Sequence, residues 1–399
     1  MAFATIDVTK GITGVTPVAN GGTAISSGFK NGVDPRKNAE PILINGDMQV
    51  SQRTTSEASI TDNRYSSCDR FKIEIDSCGT WTVAQETLTS GNAYNNGFRK
   101  ALRLDCTTAD ASPAAADAVI VSHRMEGQNL NVFKKGTSSA EKYTLAFWIK
   151  SNKTGTAQVN FTDEENTRMC SGQYTISSAN TWEKKVINIA ADTSGASDND
   201  NTESIRISWW FDAGSNYTGG AVPTAWEATS ASDKGVSTLS LANSTSNDVA
   251  ITGVQLEVGE YTSATIPPFQ HEDFGDNLLR CQRYYNIFGN TTQAPMGMAA
   301  FYSDASAYVG PLVYPVEMRS SPSITITGGS GNAYETAGFA LNHSASNDWF
   351  QTFASSATST KELQLYAGSG VSAADGDAGR CKIGDSEANK GKIEASAEL

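Results

Sequence analysis

Three tryptophans and one acidic loop carry most of the chemistry this sequence offers. Trp148 lies between Phe147 and Ile149, and Trp210 between Trp209 and Phe211, in runs whose apolar residues alternate. Alternation with period two marks a strand with one buried face, so Trp209 belongs to a core while Trp148 and Trp210 face outward. A flat π surface suits the C–H face of a sugar ring, which makes both outward tryptophans candidate carbohydrate platforms. Trp226, in the polar run PTAWEATSASD, is a third. The loop from Asp192 to Glu203 brings Asp192, Asp198 and Asp200 together in sequence. Hard carboxylate and carbonyl oxygens of this kind suit a structural Ca²⁺. The spacing is not that of an EF-hand, and a solvated loop without an ion is the alternative.

Catalytic signatures are scarce. The chain has no G-x-S-x-G elbow, Walker loop, H-E-x-x-H or dinucleotide fingerprint. Asp163-Glu164-Glu165 offers one half of a glycosidase pair, but no second carboxylate is identifiable. His271-Glu272-Asp273 reads as the capped start of a helix, where acidic residues are favoured. The six cysteines lie far apart and only three histidines are present, so clustered zinc ligands are not expected. The N-terminal run MAFATIDVTKG lacks the pattern of a signal peptide, and free thiols are the expectation. A binding or structural role is expected, not an enzyme.

The elements that must position these residues are short strands. Phe71, Ile73 and Ile75 alternate, as do Trp81 and Val83, and Leu102, Leu104 and Cys106. Tyr143, Leu145, Phe147 and Ile149 alternate most cleanly, and Val186–Ile189 and Ile205–Phe211 follow. Many short strands joined by polar turns, with no helical pattern between them, indicate an antiparallel sandwich or barrel. The segment Ile42–Val50, with Asn45-Gly46 between apolar pairs, reads as a hairpin. Acidic residues outnumber basic ones 43 to 30, a formal net charge of −13, which argues against nucleic acid as partner. No apolar run is long enough to span a membrane.

One stretch closes this architecture. From Val249 to Val258 apolar residues alternate, with a slip of one residue at Gly253 that predicts a β-bulge. After Pro267-Pro268, Asp273 is a plausible N-cap. Phe274, Leu278, Cys281 and Tyr285 then fall at helical spacing on one face, which should be buried.

The run VQLEVGEYTSATIPPFQHEDFGDNLLRCQRYY resembles a segment found in many bacteriophage tail-fibre and virion-appendage proteins. PILINGDMQVSQRTTS resembles the opening N-F-L-I-N-G-D-F-Q-V-W-Q-R-G-T-S of that family, departing from it at Ser51 and Thr54. YPVEMRSSPSITIT and the final KIEASAEL also resemble family segments, as does TPVANGGTA near the start. The resemblance implies an all-β chain: an N-terminal extended arm (1–40), a large antiparallel jelly-roll β-sandwich (41–272), a connecting helix (273–288) and a smaller C-terminal β domain (289–399). The sandwich would resemble carbohydrate-binding modules. The resemblance further implies a homotrimer in the virion, contacts with other virion proteins through the arm, and a host-surface polysaccharide as partner. A structural virion component without glycan binding, such as a head fibre or tail connector, is the alternative.

Overall fold

The computed structural model describes residues 38–399, apart from 290, 303–305, 344, 345, 369, 373 and 375. The N-terminal arm expected up to residue 40 therefore lies almost wholly outside the described residues. The first body is an antiparallel jelly-roll sandwich. Its strands are β1 (Ser56–Ile60), β2 (Arg64–Tyr65), β3 (Phe71–Asp76), β4 (Thr80–Thr87), β5 (Lys100–Thr108), β6 (Ala118–Glu126) and β7 (Tyr143–Ser151). They continue with β8 (Gly155–Asp163), β9 (Arg168–Ile176), β10 (Glu183–Ile189), β11 (Glu203–Ala213), β12 (Glu227–Ala228) and β13 (Asp248–Val258). One sheet runs β1-β4-β5-β13-β7-β10, and the other β12-β9-β8-β11-β6-β3-β2.

The alternation in the sequence sorts side chains as expected. Phe147, Trp209, Phe211, Leu104 and Leu256 all belong to one continuous core between the sheets. Trp209 is fully buried there. Burying a large apolar side chain contributes about 1.5–3 kcal/mol, so this face of each strand fixes the register. The predicted bulge is present: the pairing of β13 with β7 shifts between Thr252 and Gln255, and Gly253 adopts φ 59°. A Cβ there would lie 2.5 Å from the Phe98 ring, so both conformation and space require glycine.

Beyond the sandwich, helices α1 (Asn92–Asn95) and α2 (Ser215–Thr218) sit in long loops. Helix α3 (Phe274–Gln282) is capped by Asp273, whose carboxylate accepts from the Gly275 N–H at 2.8 Å. The connecting segment is shorter than expected, because Tyr285–Gly289 is already a strand. It pairs with Lys392–Ser396, which also pairs with Ser323–Thr327. A seven-stranded antiparallel sheet between Pro295 and Ile383 completes the chain, with its own core around Phe339, Leu341, Leu365 and Ile393. All six cysteines are free and buried.

Two expectations fail. Residues 42–50 form turns, not a hairpin. Asn45 takes a left-handed φ of 59°, and its side chain bonds the backbone of Val50 and Asp69 at 2.9 Å. A Cβ at Gly46 would meet the Val254 carbonyl at 2.1 Å. The segment is thus held by side-chain-to-backbone bonds that substitute for a ladder. Phe274 is 57% exposed and Leu278 only partly buried, while Asn277, which the apolar spacing skips, is buried. Asn277 Oδ1 accepts from the Asn45 N–H at 3.1 Å, a polar demand that apolar periodicity cannot register.

The segments that resemble fibre proteins converge where the two bodies meet. Arg70, fully buried, stacks on Tyr284 at 3.4 Å, pairs with Glu398 and donates to the Arg124 carbonyl. Arg53 stacks on Tyr285 at 3.6 Å and reaches Glu398 at 3.2 Å. Glu126 accepts from Arg283 at 2.8 Å and from the Tyr284 hydroxyl at 2.5 Å. Arg319 donates to the carbonyls of Asn201 and Ala397. Planar guanidiniums suit such sites because they stack and fork at once.

Candidate functional site

The outer face of the six-stranded sheet is open only in part. The segment after β13 lies over its far side, where Tyr261 and Ile266 pack on Ala146. The α1 loop covers another part, where Ala93 and Phe98 pack on Ala101 and Ala250. Between these covers, Trp148 and Lys150 remain partly exposed on β7. Trp148 packs against the Trp182 cluster on one side and faces Thr252 and Lys184 across the sheet.

Charged groups share the sheet with it. Lys150 Nζ lies 5.3 Å from the Trp182 ring and 3.3 Å from Glu86. Arg103 bridges Asp105 at 2.6 Å and Asp248 at 3.2 Å. The face thus offers an aromatic surface beside hydrogen-bonding donors and acceptors, the two features a sugar presents in complement. Of the three candidate tryptophans, Trp148 alone has an accessible sheet-face position.

The other two are corrected by the structure. Trp210 does lie on the outer parity of β11, but it is 5% exposed. The loop carrying α2 covers it, with Tyr217 at 5.1 Å between ring centroids. Gln158 and Asn160 tie that loop down through the carbonyls of Asp233 and Lys234. Trp226 tucks inward, joins the main core and donates its indole N–H to the Ala190 carbonyl at 2.7 Å. Neither ring presents a face to a sugar in this conformation.

The acidic loop gathers no cation site. Asp192 is buried and Asp198 and Asp200 are exposed. Lys135 supplies the positive charge: its Nζ meets Asp163 at 2.5 Å, the Gly195 carbonyl at 2.5 Å and Asp192 at 3.3 Å. Burial pushes the Asp192 carboxyl up, but the bonds from Arg168, the Ser194 N–H and Lys135 outweigh it, so the group titrates below its usual range. Asp200 caps its own turn through Thr202. Among the described residues, no three His, Cys, Asp or Glu side chains are grouped to hold a metal.

The acidic triplet is likewise engaged: Asp163 with Lys135, Glu164 with Arg206 at 3.3 Å, and Glu165 with the Asp198 N–H. His271 faces Asp47 at 3.6 Å, and Glu272 pairs with Arg280 at 2.5 Å. Sequence reasoning passed over Trp182 and Lys184, although extending the strand at Val186 backward by parity places both on the outer face. It also passed over His343, Asp348 and Ser372, which touch in the C-terminal body. There Ser372 Oγ and Asp348 both approach His343 Nε2, at 3.2 and 2.9 Å. A serine–histidine relay needs the two partners on opposite ring nitrogens, so this geometry does not build one.

No family model matches the chain, and no curated protein does. Solved structures similar to it include the enzymatically active domain of tailspike protein 4 from bacteriophage CBA120. That match has 13% identity, covers 55% of this chain and 21% of the other, and has a TM-score of 0.28. The family 11 carbohydrate-binding module from Clostridium thermocellum, in complex with a β-1,3-1,4-mixed-linked tetrasaccharide, matches at 8% identity over 54% of this chain and 95% of that one, TM-score 0.24. A family 29 carbohydrate-binding module complexed with mannohexaose matches at 11% identity over 54% and 99%, TM-score 0.26. No helix among the described residues is long and apolar enough to cross a membrane.

Proposed function

We propose that this chain is a non-enzymatic bacteriophage tail-fibre or related virion-appendage protein that binds host-surface glycan on the outer face of its six-stranded sheet. Trp148 carries the glycan reading, as a partly exposed ring beside Lys150, Lys184 and Glu86. The appendage reading is supported by the sequence segments that resemble fibre proteins, whose side chains interlock at a single junction between two β bodies. A stiff junction of this kind suits a protein that must hold a binding domain away from a particle. On this reading the chain assembles as a homotrimer and joins other virion proteins through residues 1–40.

The deciding experiment applies purified protein and its Trp148→Ala variant to an array of neutral and acidic bacterial polysaccharides. The parent is expected to bind at least one glycan, and Trp148→Ala to bind it at least tenfold more weakly while melting within a few degrees of the parent. Equal binding by the variant would remove Trp148 from the site. Absence of binding by the parent would favour a structural virion component, a reading supported by the burial of Trp210 and Trp226.

A further inference from the structure

One cation on the proposed face lacks a counter-charge. Lys184 lies on β10, the edge strand of the six-stranded sheet, directly across from Trp148. It is partly buried, and its ammonium makes no ion pair or hydrogen bond among the described residues. Its neighbours differ: Lys150 pairs with Glu86, Arg103 with Asp105 and Asp248, and Lys185 with Glu183 at 2.6 Å. Burial alone lowers the Lys184 ammonium below its usual value, as expected for a charge that gives up water without gaining a partner.

The space beside Lys184 has no acidic lining among the described residues. A cleft of about 400 Å³ runs along the free edge of β10, lined by Gln173, Lys184, Lys185, Asn188 and Thr262 among others. No Asp or Glu among the described residues lines it, in a chain whose formal charge is −13. Gln173 already donates to Ser237, Asn188 to the Tyr261 carbonyl and Lys185 to Glu183, so among these lining side chains the Lys184 ammonium is the one left uncompensated.

We infer that the glycan bound at Trp148 is acidic, with the carboxylate of a uronic or related sugar seated on Lys184. Directly paired residues of an antiparallel sheet hold their Cβ atoms about 5 Å apart. That is the scale of one sugar residue, whose ring would lie on Trp148 while its carboxylate meets the amine. An ammonium takes a carboxylate as a compact point charge without requiring a forked geometry. The inference rests on the glycan reading above and narrows it to a substrate class.

The test prints bacterial surface polysaccharides in native and carboxyl-reduced forms and probes them with the full chain, Lys184→Met and Lys184→Arg. Native acidic polysaccharide should be bound, with at least a tenfold loss on carboxyl reduction. Lys184→Met should show the same loss on the native form and Lys184→Arg much less, all three proteins melting alike. Binding that survives carboxyl reduction overturns the acidic class, and binding that Lys184→Met leaves intact overturns Lys184 as the carboxylate's seat; either leaves glycan binding standing. No binding to either form overturns both.

Discussion

The junction between the two β bodies and the outer face of the six-stranded sheet both gather charged and aromatic side chains, yet they use them in opposite ways. At the junction Arg70, Arg53 and Glu126 are each matched by a partner within the chain. On the sheet face Trp148 is partly open and Lys184 is unmatched among the described residues. Buried ion pairs and hydrogen bonds between groups of one chain hold those groups in place, whereas unmatched groups at a surface are available to a ligand. Aromatic and charged composition alone therefore does not mark a binding site. The number of partners already present is what separates these two regions.

Removing the centre of the junction should break that contrast most forcefully. Arg70→Met leaves the Arg124 carbonyl without its donor and the buried Glu398 carboxylate with Arg53 alone. Breaking a buried pair from one side costs about 3–5 kcal/mol, and urea denaturation should show a loss of that size. Arg70→Lys should recover little, because an ammonium neither forks nor stacks as a guanidinium does. A loss below about 1 kcal/mol, against that range, would mean the junction is not the rigid element described.

Trp210→Ala comes next. The ring is buried beneath the α2 loop, and tryptophan truncation at such sites costs about 3 kcal/mol or more. A loss of this size, with glycan binding by the folded variant unchanged, would separate Trp210 from Trp148 in function. Normal stability would show the loop to be open in solution.

The alternation of apolar residues made the sandwich legible, including the bulge at Gly253, because period two directly reports a half-buried strand. It could not report what covers the outer faces. Trp148 and Trp210 have the same outward parity, and the loop from Gly214 to Ser240 that buries Trp210 is polar and aperiodic in sequence. The Asp192 loop misled for a related reason: its carboxylates are close in sequence, but only Asp192 turns inward, where Lys135, 57 residues away, meets it. Long-range partners of this kind leave no local pattern. The resemblance to fibre proteins identified the segments that meet at the junction, without revealing that Arg70 and Arg53 stack on the two tyrosines of CQRYY.

Acid should loosen the junction through Glu126. Burial pushes this carboxyl up, but hydrogen bonds from Arg283, Tyr284 and Gln128 outweigh it, so the folded value lies below the ordinary 4.5. A carboxyl depressed in the folded state contributes stability that is complete above its unfolded value and fades as pH falls through the folded one. Glu126→Gln should therefore melt below the parent at pH 7, by an effect of about 1.5–3 kcal/mol for hydrogen bonds to a charged group. The gap should narrow progressively below pH 4.5. A gap independent of pH down to pH 3 would show that charge at Glu126 does not hold the junction.

The smallest effect is expected at Phe274, where helical periodicity and structure disagree. Spacing with Leu278 and Cys281 puts Phe274 on the apolar stripe of α3, yet the ring is 57% exposed while Cys281 is buried. The reason is position: Phe274 is the first residue of the helix, directly after the Asp273 cap, and the helix packs through its later turns against Ile44 and Val50. Phe274→Ser should change stability by no more than about 0.5 kcal/mol, the range of ordinary surface substitutions. Asn277→Ala, one turn further on, should cost about 1–3 kcal/mol because it strips the buried Asn45 N–H of its acceptor. If the order were reversed, with Phe274→Ser the more damaging change, the phenylalanine would have to be covered in the assembled protein, and the exposed ring would mark a contact between chains.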